Sequence, residues 1–288
     1  MISECRIGDL DHLMRVAGSI GVISEIAYAK INLALHIRRR REDGYHELET
    51  LFAFLDNGDR LLIAPAERFC LDEYGMFAGQ SGTPEANLIT RAAALVGQGS
   101  LRLIKVTLDK RLPVSAGLGG GSADAAATLR LLDAHDRFDL AVKLGADVPA
   151  CMASVPVIGS GTGTALSSVN NDVNGLACLL INPMVPLPTG PVFAQWDGID
   201  RGAMPTGSAS EIMLKGRNDL EDAAISLCPV IRDVLATLGK TQPLLARMSG
   251  SGATCFALYD DFSVAAAHEA RIRSDRSDRW WTMIGRLR

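Results

Sequence analysis

The chain has 288 residues, 48% of them hydrophobic, and 33 acidic against 29 basic side chains give it a formal net charge of −4. That length supports a sizeable core in one large domain or two ordinary ones, and two are expected. The charge balance excludes the global basic field of a dedicated nucleic-acid binder, no run reaches the roughly 18 apolar residues of a membrane span, and the start lacks a secretory apolar core, so a cytoplasmic protein without nucleic-acid or membrane partners is expected.

Residues 1–21 read as an N-terminal extension with a short amphipathic helix around Leu10 to Val16, closed by Ala17-Gly18-Ser19. From Ser24 to Ile37, Ile26, Tyr28, Ile31, Leu33, Leu35 and Ile37 alternate with small or polar residues, which predicts a strand interrupted near Lys30-Ile31. A strand pair is predicted at Leu48 to Leu55 and Asp59 to Ala64, then a helix from Asn87, as cap, to Val96 and a strand from Leu101 to Leu108. Ser122 to Ala134 reads as a strong helix with Ser122 as cap, followed by Phe138 to Leu144, which ends at Gly145. Asp147-Val-Pro149 looks like a third helix start, and Gly159 to Gly163 like a flexible turn. Beyond a strand at Ala177 to Ile181, the proline-rich Asn182 to Thr189 suggests a connection into a second α+β unit. That unit has helices at Asp219 to Ser226 and Pro229 to Leu238 and a glycine turn between strands in Arg247 to Leu258. The six cysteines, Cys5, Cys70, Cys151, Cys178, Cys228 and Cys255, form no CxxC pair and read as reduced, mostly buried thiols.

The most informative segment is Pro113-Val-Ser-Ala-Gly-Leu-Gly-Gly-Gly-Ser122, which opens directly into a helix. Its small side chains let backbone N–H groups approach a phosphate, and the helix N-terminus adds partial positive charge. No lysine follows in P-loop register, so a cation must come from elsewhere. A simple glycine turn accounts for one or two glycines by positive φ, but not for four between Gly117 and Gly121.

The run Leu112 to Ala127 resembles the ATP-binding motif of the GHMP kinases, the galactokinase, homoserine, mevalonate and phosphomevalonate kinase superfamily. Ala29-Lys-Ile-Asn-Leu33, Asp43-Gly-Tyr-His46, Gly145-Ala-Asp-Val-Pro149 and Ser249-Gly-Ser-Gly-Ala253 together resemble its cytidyl-alcohol branch. The resemblance implies an α+β, two-domain GHMP kinase fold. Residues 22–165 would form a ribosomal-protein-S5-domain-2-like ATP-binding and catalytic domain, and residues 166–288 a ferredoxin-like α/β-plait GHMP C-terminal domain. It implies ATP-dependent phosphorylation of the 2-hydroxyl of a cytidine-diphosphate-carrying sugar alcohol in non-mevalonate isoprenoid precursor synthesis, with Mg²⁺ expected, by a monomer or weak homodimer. The alternatives are a mevalonate- or homoserine-type kinase and an inactive nucleotide-binding regulator.

Phosphoryl transfer to an alcohol needs an in-line acceptor, a group to take its proton and charge on the phosphoryl oxygens neutralised. Asp147 reads equally as a helix cap and as the base, and Lys30 as an edge-strand lysine or a cleft cation. The resemblance implies that Asp147 is the base and Lys30 its neighbour. It further implies ATP contacts from Lys110, Pro113, Val114, Ser115, Ala116, Gly117, Leu118, Gly119, Gly120, Gly121, Ser122 and Ala123, and substrate contacts from Asn32, Tyr45, His46, Asp147, Thr189 and Phe193. Tyr45 and Phe193 would stack on cytosine while His46 reads its edge. Asn32, two residues past Lys30, shares its strand face. Arg38 to Arg41 reads as a solvated strand end or as a steering patch for a diphosphate, and Ser249-Gly-Ser-Gly252 as a phosphate-closing loop or a plain hairpin. The sequence shows no dedicated metal cage, with Ser122 a possible Mg²⁺ ligand. Gly161-Thr-Gly-Thr164 stands where the family usually has Gly-Arg-Gly-Glu.

Overall fold

A computed structural model describes residues 21–98, 103–276 and 280–288. The expected helix around Leu10 to Val16 and Cys5 lie outside the described residues.

The first unit is built on two long antiparallel strands, β1 (Ile23–Arg40) and β2 (His46–Pro65), joined by the turn at Asp43-Gly44. The expected interruption of β1 near Lys30 is a register shift between Tyr28 and Lys30 within one continuous strand. The expected strand pair at 48–55 and 59–64 is likewise one strand. Gly58 lies within β2 because a Cβ there would come 2.0 Å from the Ala27 carbonyl oxygen, so glycine serves close backbone approach rather than a reversal. β3 (Cys70–Tyr74), β4 (Ile104–Asp109), β5 (Val157–Gly161) and β6 (Ala165–Ser168) complete a six-stranded sheet in the order β3-β4-β2-β5-β6, with β1 on the other side of β2. The flexible turn expected at 159–163 is therefore partly strand, and the reversal is confined to 162–164.

Against one face of this sheet pack α1 (Leu88–Val96), α2 (Gly120–Leu131), α3 (Phe138–Leu144) and α4 (Val148–Ala153). The alanines of α2 let it sit deep among Phe52, Phe54, Leu61, Ile89 and Val106. Asn87 caps α1 as expected, its side chain accepting the Ile89 N–H. By contrast α2 starts two residues before the expected Ser122, after the left-handed Gly119, and has no side-chain cap.

The second unit is a four-stranded antiparallel sheet of β7 (Ala177–Asn182), β8 (Leu245–Met248), β9 (Cys255–Tyr259) and β10 (Trp281–Arg286), in the order β10-β7-β9-β8. With α5 (Thr189–Ala194), α6 (Ala209–Lys215), α7 (Glu221–Leu227) and α8 (Val230–Gly239) between its first two strands and α9 (Phe262–Arg276) between its last two, it has the expected plait topology. A buried layer of Ile31, Leu33, Leu51 and Leu55 against Leu180, Ile212, Phe256 and Leu258 joins the two units. The described cysteines are free thiols, and all but Cys70 are buried. Among the described residues no helix is long and apolar enough to cross a membrane.

Candidate active site

The β1 register shift turns Lys30 inward, and its backbone N–H donates to the Leu118 carbonyl at 3.0 Å, tying the strand to the glycine run. The side chain is buried. Its Nζ lies 3.2 Å from Asp147 Oδ2, donates to Asn32 Oδ1 at 2.9 Å and sits 5.5 Å from the centre of the Phe52 ring. Asn32 donates in turn to Thr50 Oγ1 at 2.8 Å, and Thr50 donates to the Ala34 carbonyl at 2.7 Å. Each partner in this relay orients the next, and together they hold the ammonium toward Asp147.

Asp147 occupies the N-cap of α4 without capping it, since its side chain accepts no bond from the helix. The carboxylate, 35% exposed, instead faces Lys30 and an open cleft. The two readings that Asp147 left open in the sequence are thus separated by geometry: the backbone place is a cap, and the side chain is spent elsewhere.

The glycine run bends across the mouth of this pair. Gly117 (φ +77°) passes so close to the 249–254 loop that a Cβ would come 2.3 Å from the Ser249 carbonyl oxygen, and at Gly119 (φ +61°) it would come 3.0 Å from Lys30 Cε. Ser249 Oγ donates to the Gly117 carbonyl at 2.8 Å and accepts the Asn32 N–H at 3.2 Å, clasping the two segments together. Val114 to Gly117 and Gly119 to Ser122 line the cleft. Pro113, Leu118 and Ala123 lie behind it, buried in the wall that positions the others.

Lys110 departs from expectation. Its side chain is buried beneath the glycine turn, with Nζ 2.6 Å from both Asp59 Oδ2 and Asp124 Oδ2. Asp59 Oδ1 also accepts the N–H groups of Arg111 (2.6 Å) and Leu112 (2.8 Å), so the cluster pins the start of the run from below. Burial works against the lysine's charge, but Asp124 and Asp59 more than offset it and its pKa rises. Burial pushes the Asp124 carboxyl up despite Lys110, and its Oδ1 finds no partner. Asp59 and Asp124 lie 51 and 14 residues from Lys110, so no local signal announced the cluster.

At the far end of the cleft, Asp43 Oδ1 accepts the Tyr45 N–H at 3.1 Å, and Tyr45 is 66% exposed. His46, buried, packs 5.0 Å from the Phe193 ring and 5.6 Å from Trp196, edge-on. Burial first and the Arg40 charge second lower its pKa, so at neutral pH the imidazole is uncharged, one donor and one acceptor. Thr189 Oγ1 and Ser251 Oγ lie 3.0 Å apart across the opening. Trp196 is a contact that the motifs do not announce, and its i+3 spacing from Phe193 is the signal the sequence carries for it. The structure thus brings Lys30, Asn32, Tyr45, His46, Asp147, Thr189 and Phe193 to one cleft of about 700 Å³ with the glycine run, and excludes Lys110 from it. Thr162 and Gly163, within the departing Gly161 to Thr164 segment, also line it.

Residues 87–154 match the GHMP kinases N terminal domain, and residues 206–275 the GHMP kinases C terminal. A protein of Erythrobacter litoralis named 4-diphosphocytidyl-2-C-methyl-D-erythritol kinase is 52% identical over 276 residues, covering 92% of this chain and 100% of that one. A protein of the same name from Paracoccus denitrificans is 45% identical over 271 residues, covering 91% and 96%. Among solved structures, a 4-(cytidine 5'-diphospho)-2C-methyl-D-erythritol kinase superposes with a TM-score of 0.75 at 32% identity, covering 92% of this chain and 99% of that one. The homoserine kinase from Cytophaga hutchinsonii, at 16% identity and a TM-score of 0.63 over 92% and 95% of the chains, shares the fold.

Proposed function

The chain belongs to the 4-diphosphocytidyl-2-C-methyl-D-erythritol kinase family of the GHMP kinases, and from that premise we propose that its cleft transfers the γ-phosphoryl group of ATP to the 2-hydroxyl of 4-diphosphocytidyl-2-C-methyl-D-erythritol. The observation that carries the assignment of roles is the 3.2 Å approach of Lys30 Nζ to Asp147 Oδ2 at the lip of the glycine turn, in the same cleft as the His46–Phe193 pair.

The backbone N–H groups of the glycine run and the N-terminus of α2 hold the ATP phosphates. Asp147 accepts the proton of the acceptor hydroxyl as that oxygen bonds to the γ-phosphorus and the bridging P–O bond to ADP breaks. Lys30, held by Asn32 and lying 3.2 Å from Asp147 Oδ2, offsets charge gathering on the transferred group. Cytosine lies against Phe193 and Tyr45, and His46 supplies hydrogen bonds to its edge. ATP would enter as its Mg²⁺ complex, and Ser122, which lines the cleft, would be the side chain to meet the cation. No group of three His, Cys, Asp or Glu among the described residues forms a cage, and a cation carried on phosphate oxygens needs none. The ATP-binding unit and the C-terminal unit divide in the 169–176 connection, because β6 still belongs to the first sheet. A cytoplasmic monomer or weak homodimer fits this reading.

The test is a turnover panel with ATP and three acceptors. The cytidyl diphosphate alcohol should exceed mevalonate and homoserine in kcat/KM by on the order of 10⁴, because both lack the base that the aromatic end is built to hold. Equal or faster turnover of either competitor would overturn the assignment.

A further inference from the structure

Four consecutive arginines run from the end of β1 into the turn, and three of them are spent. Arg38 pairs with Asp200 at 3.2 Å and Glu49 at 3.8 Å, Arg39 with Glu47 at 2.6 Å, and Arg41 with Asp43 at 2.9 Å. The Arg40 side chain has no ion pair or hydrogen bond among the described residues, and Arg40 lines the cleft. It stands directly across the β1–β2 ladder from His46, at the end where Gly44 and Tyr45 form the rim.

The charge balance of the cleft gives this position its meaning. The charged side chains lining it are Lys30, Asp147 and Arg40. Lys30 and Asp147 face each other at 3.2 Å and largely cancel. The lone surplus charge is therefore the Arg40 guanidinium, whose planar fork matches phosphate oxygens two at a time.

Resting on the acceptor reading above, we propose that Arg40 is a specificity-determining residue that binds the diphosphate of the acceptor, so that the enzyme selects a nucleoside diphosphate and not merely a pyrimidine. Phe193 and His46 recognise the base but carry no charge, and the glycine run is occupied by the other nucleotide. Without Arg40 the acceptor's two negative charges would enter a half-cleft with no cation of its own. The neighbouring arginines are held at the strand end by their Asp and Glu partners and leave Arg40 free to face the ligand. The run thus combines the two readings its sequence allowed: three residues form a solvated, paired strand end and one faces the ligand.

The experiment compares wild type, Arg40→Ala, Arg40→Lys and, as control, Arg39→Ala, whose exposed pair contributes little. KM for the cytidyl diphosphate alcohol should rise about 10- to 100-fold in Arg40→Ala, the worth of a hydrogen bond to a charged group. KM for ATP and kcat should stay within two- to threefold of wild type, Arg40→Lys should recover part of the loss, and Arg39→Ala should match wild type. Calorimetric titration with cytidine and with CDP then locates the contact. Wild type should bind CDP more tightly than cytidine, and Arg40→Ala should erase most of that difference while leaving cytidine affinity unchanged. Equal weakening of cytidine and CDP would place Arg40 on the base and overturn the proposal, as would an unchanged acceptor KM in a folded Arg40→Ala enzyme. If wild type does not phosphorylate the cytidyl alcohol, the acceptor reading fails and the proposal with it. If wild type does so and only the Arg40 effect is missing, the acceptor reading stands alone.

Discussion

Replacing Lys110 by Met separates two roles for this residue, because the sequence suggested a direct ATP contact and the structure shows a buried clamp. Asp59 would keep two backbone donors, at 2.6 and 2.8 Å, and remain partly compensated. Asp124 would keep nothing: Oδ2 loses the ammonium at 2.6 Å and Oδ1 already has no partner. Breaking a buried ion pair from one side costs about 3–5 kcal/mol, and most of it should fall on Asp124. With a urea dependence of about 3 kcal/mol per molar, the unfolding midpoint should drop by about 1 M or more. The double variant Lys110→Met with Asp124→Leu should recover a large part of that loss, because the stranded carboxylate is gone. Urea unfolding followed by circular dichroism, with ATP KM measured in parallel, reads both roles. A wild-type midpoint combined with a 10- to 100-fold rise in ATP KM would refute the clamp and restore the direct contact.

Three further outcomes follow from local geometry. Phe193→Ala should raise the acceptor KM about 10- to 100-fold, from the loss of roughly 1–3 kcal/mol of base stacking, while leaving ATP KM unchanged in steady-state assays. Gly117→Ala places a Cβ 2.3 Å from the Ser249 carbonyl oxygen at φ +77°, so it should cost about 1–3 kcal/mol in thermal melts and raise ATP KM as the 249–254 loop is pushed aside. The His36 ring accepts the Arg217 N–H at Nε2 (3.2 Å) and lies 3.3 Å from the Gly202 carbonyl at Nδ1, which fixes a neutral tautomer protonated at Nδ1. Burial, then the Arg217 charge, lowers its folded pKa below 6.5. Below pH 6.5 the unfolded chain therefore binds a proton that the folded one refuses, and stability falls from pH 6.5 down to the folded pKa. Urea midpoints at pH 7.5 and 5.5 should show this drop, and it should be smaller in His36→Gln.

Features that read correctly from the sequence depend on neighbours along the chain. The glycine run at a helix start, the Asn87 cap, the Asp147-Val-Pro helix start and the strand through β1 are all local patterns, and only the start of α2 departs from its local rule, by two residues. What was missed depends on distant partners. Gly58 could pass for a turn residue until the Ala27 carbonyl occupies the space of its absent side chain. Lys110 could pass for a phosphate ligand until Asp59 and Asp124 close on it. The arginine run divides into paired and free members only once Glu47, Glu49 and Asp200 arrive from other segments. Helix α6 is a different case: its capping box, Ser208 with Glu211, is local and legible as S-x-x-E. Within the cleft, the motif residues were legible through the resemblance, while Thr50 emerged only from its hydrogen bonds to Asn32 and Ala34.

The central claim is that Asp147, held against Lys30, takes the acceptor's proton. A single-turnover measurement with saturating MgATP and cytidyl diphosphate alcohol tests it on Asp147→Asn, a substitution of nearly the same shape at a position that caps no helix N–H through its side chain. The rate of phosphoryl transfer should fall by on the order of 10² or more, with both ligands still bound and the melting curve close to wild type. Transfer within a few-fold of wild type would contradict the account.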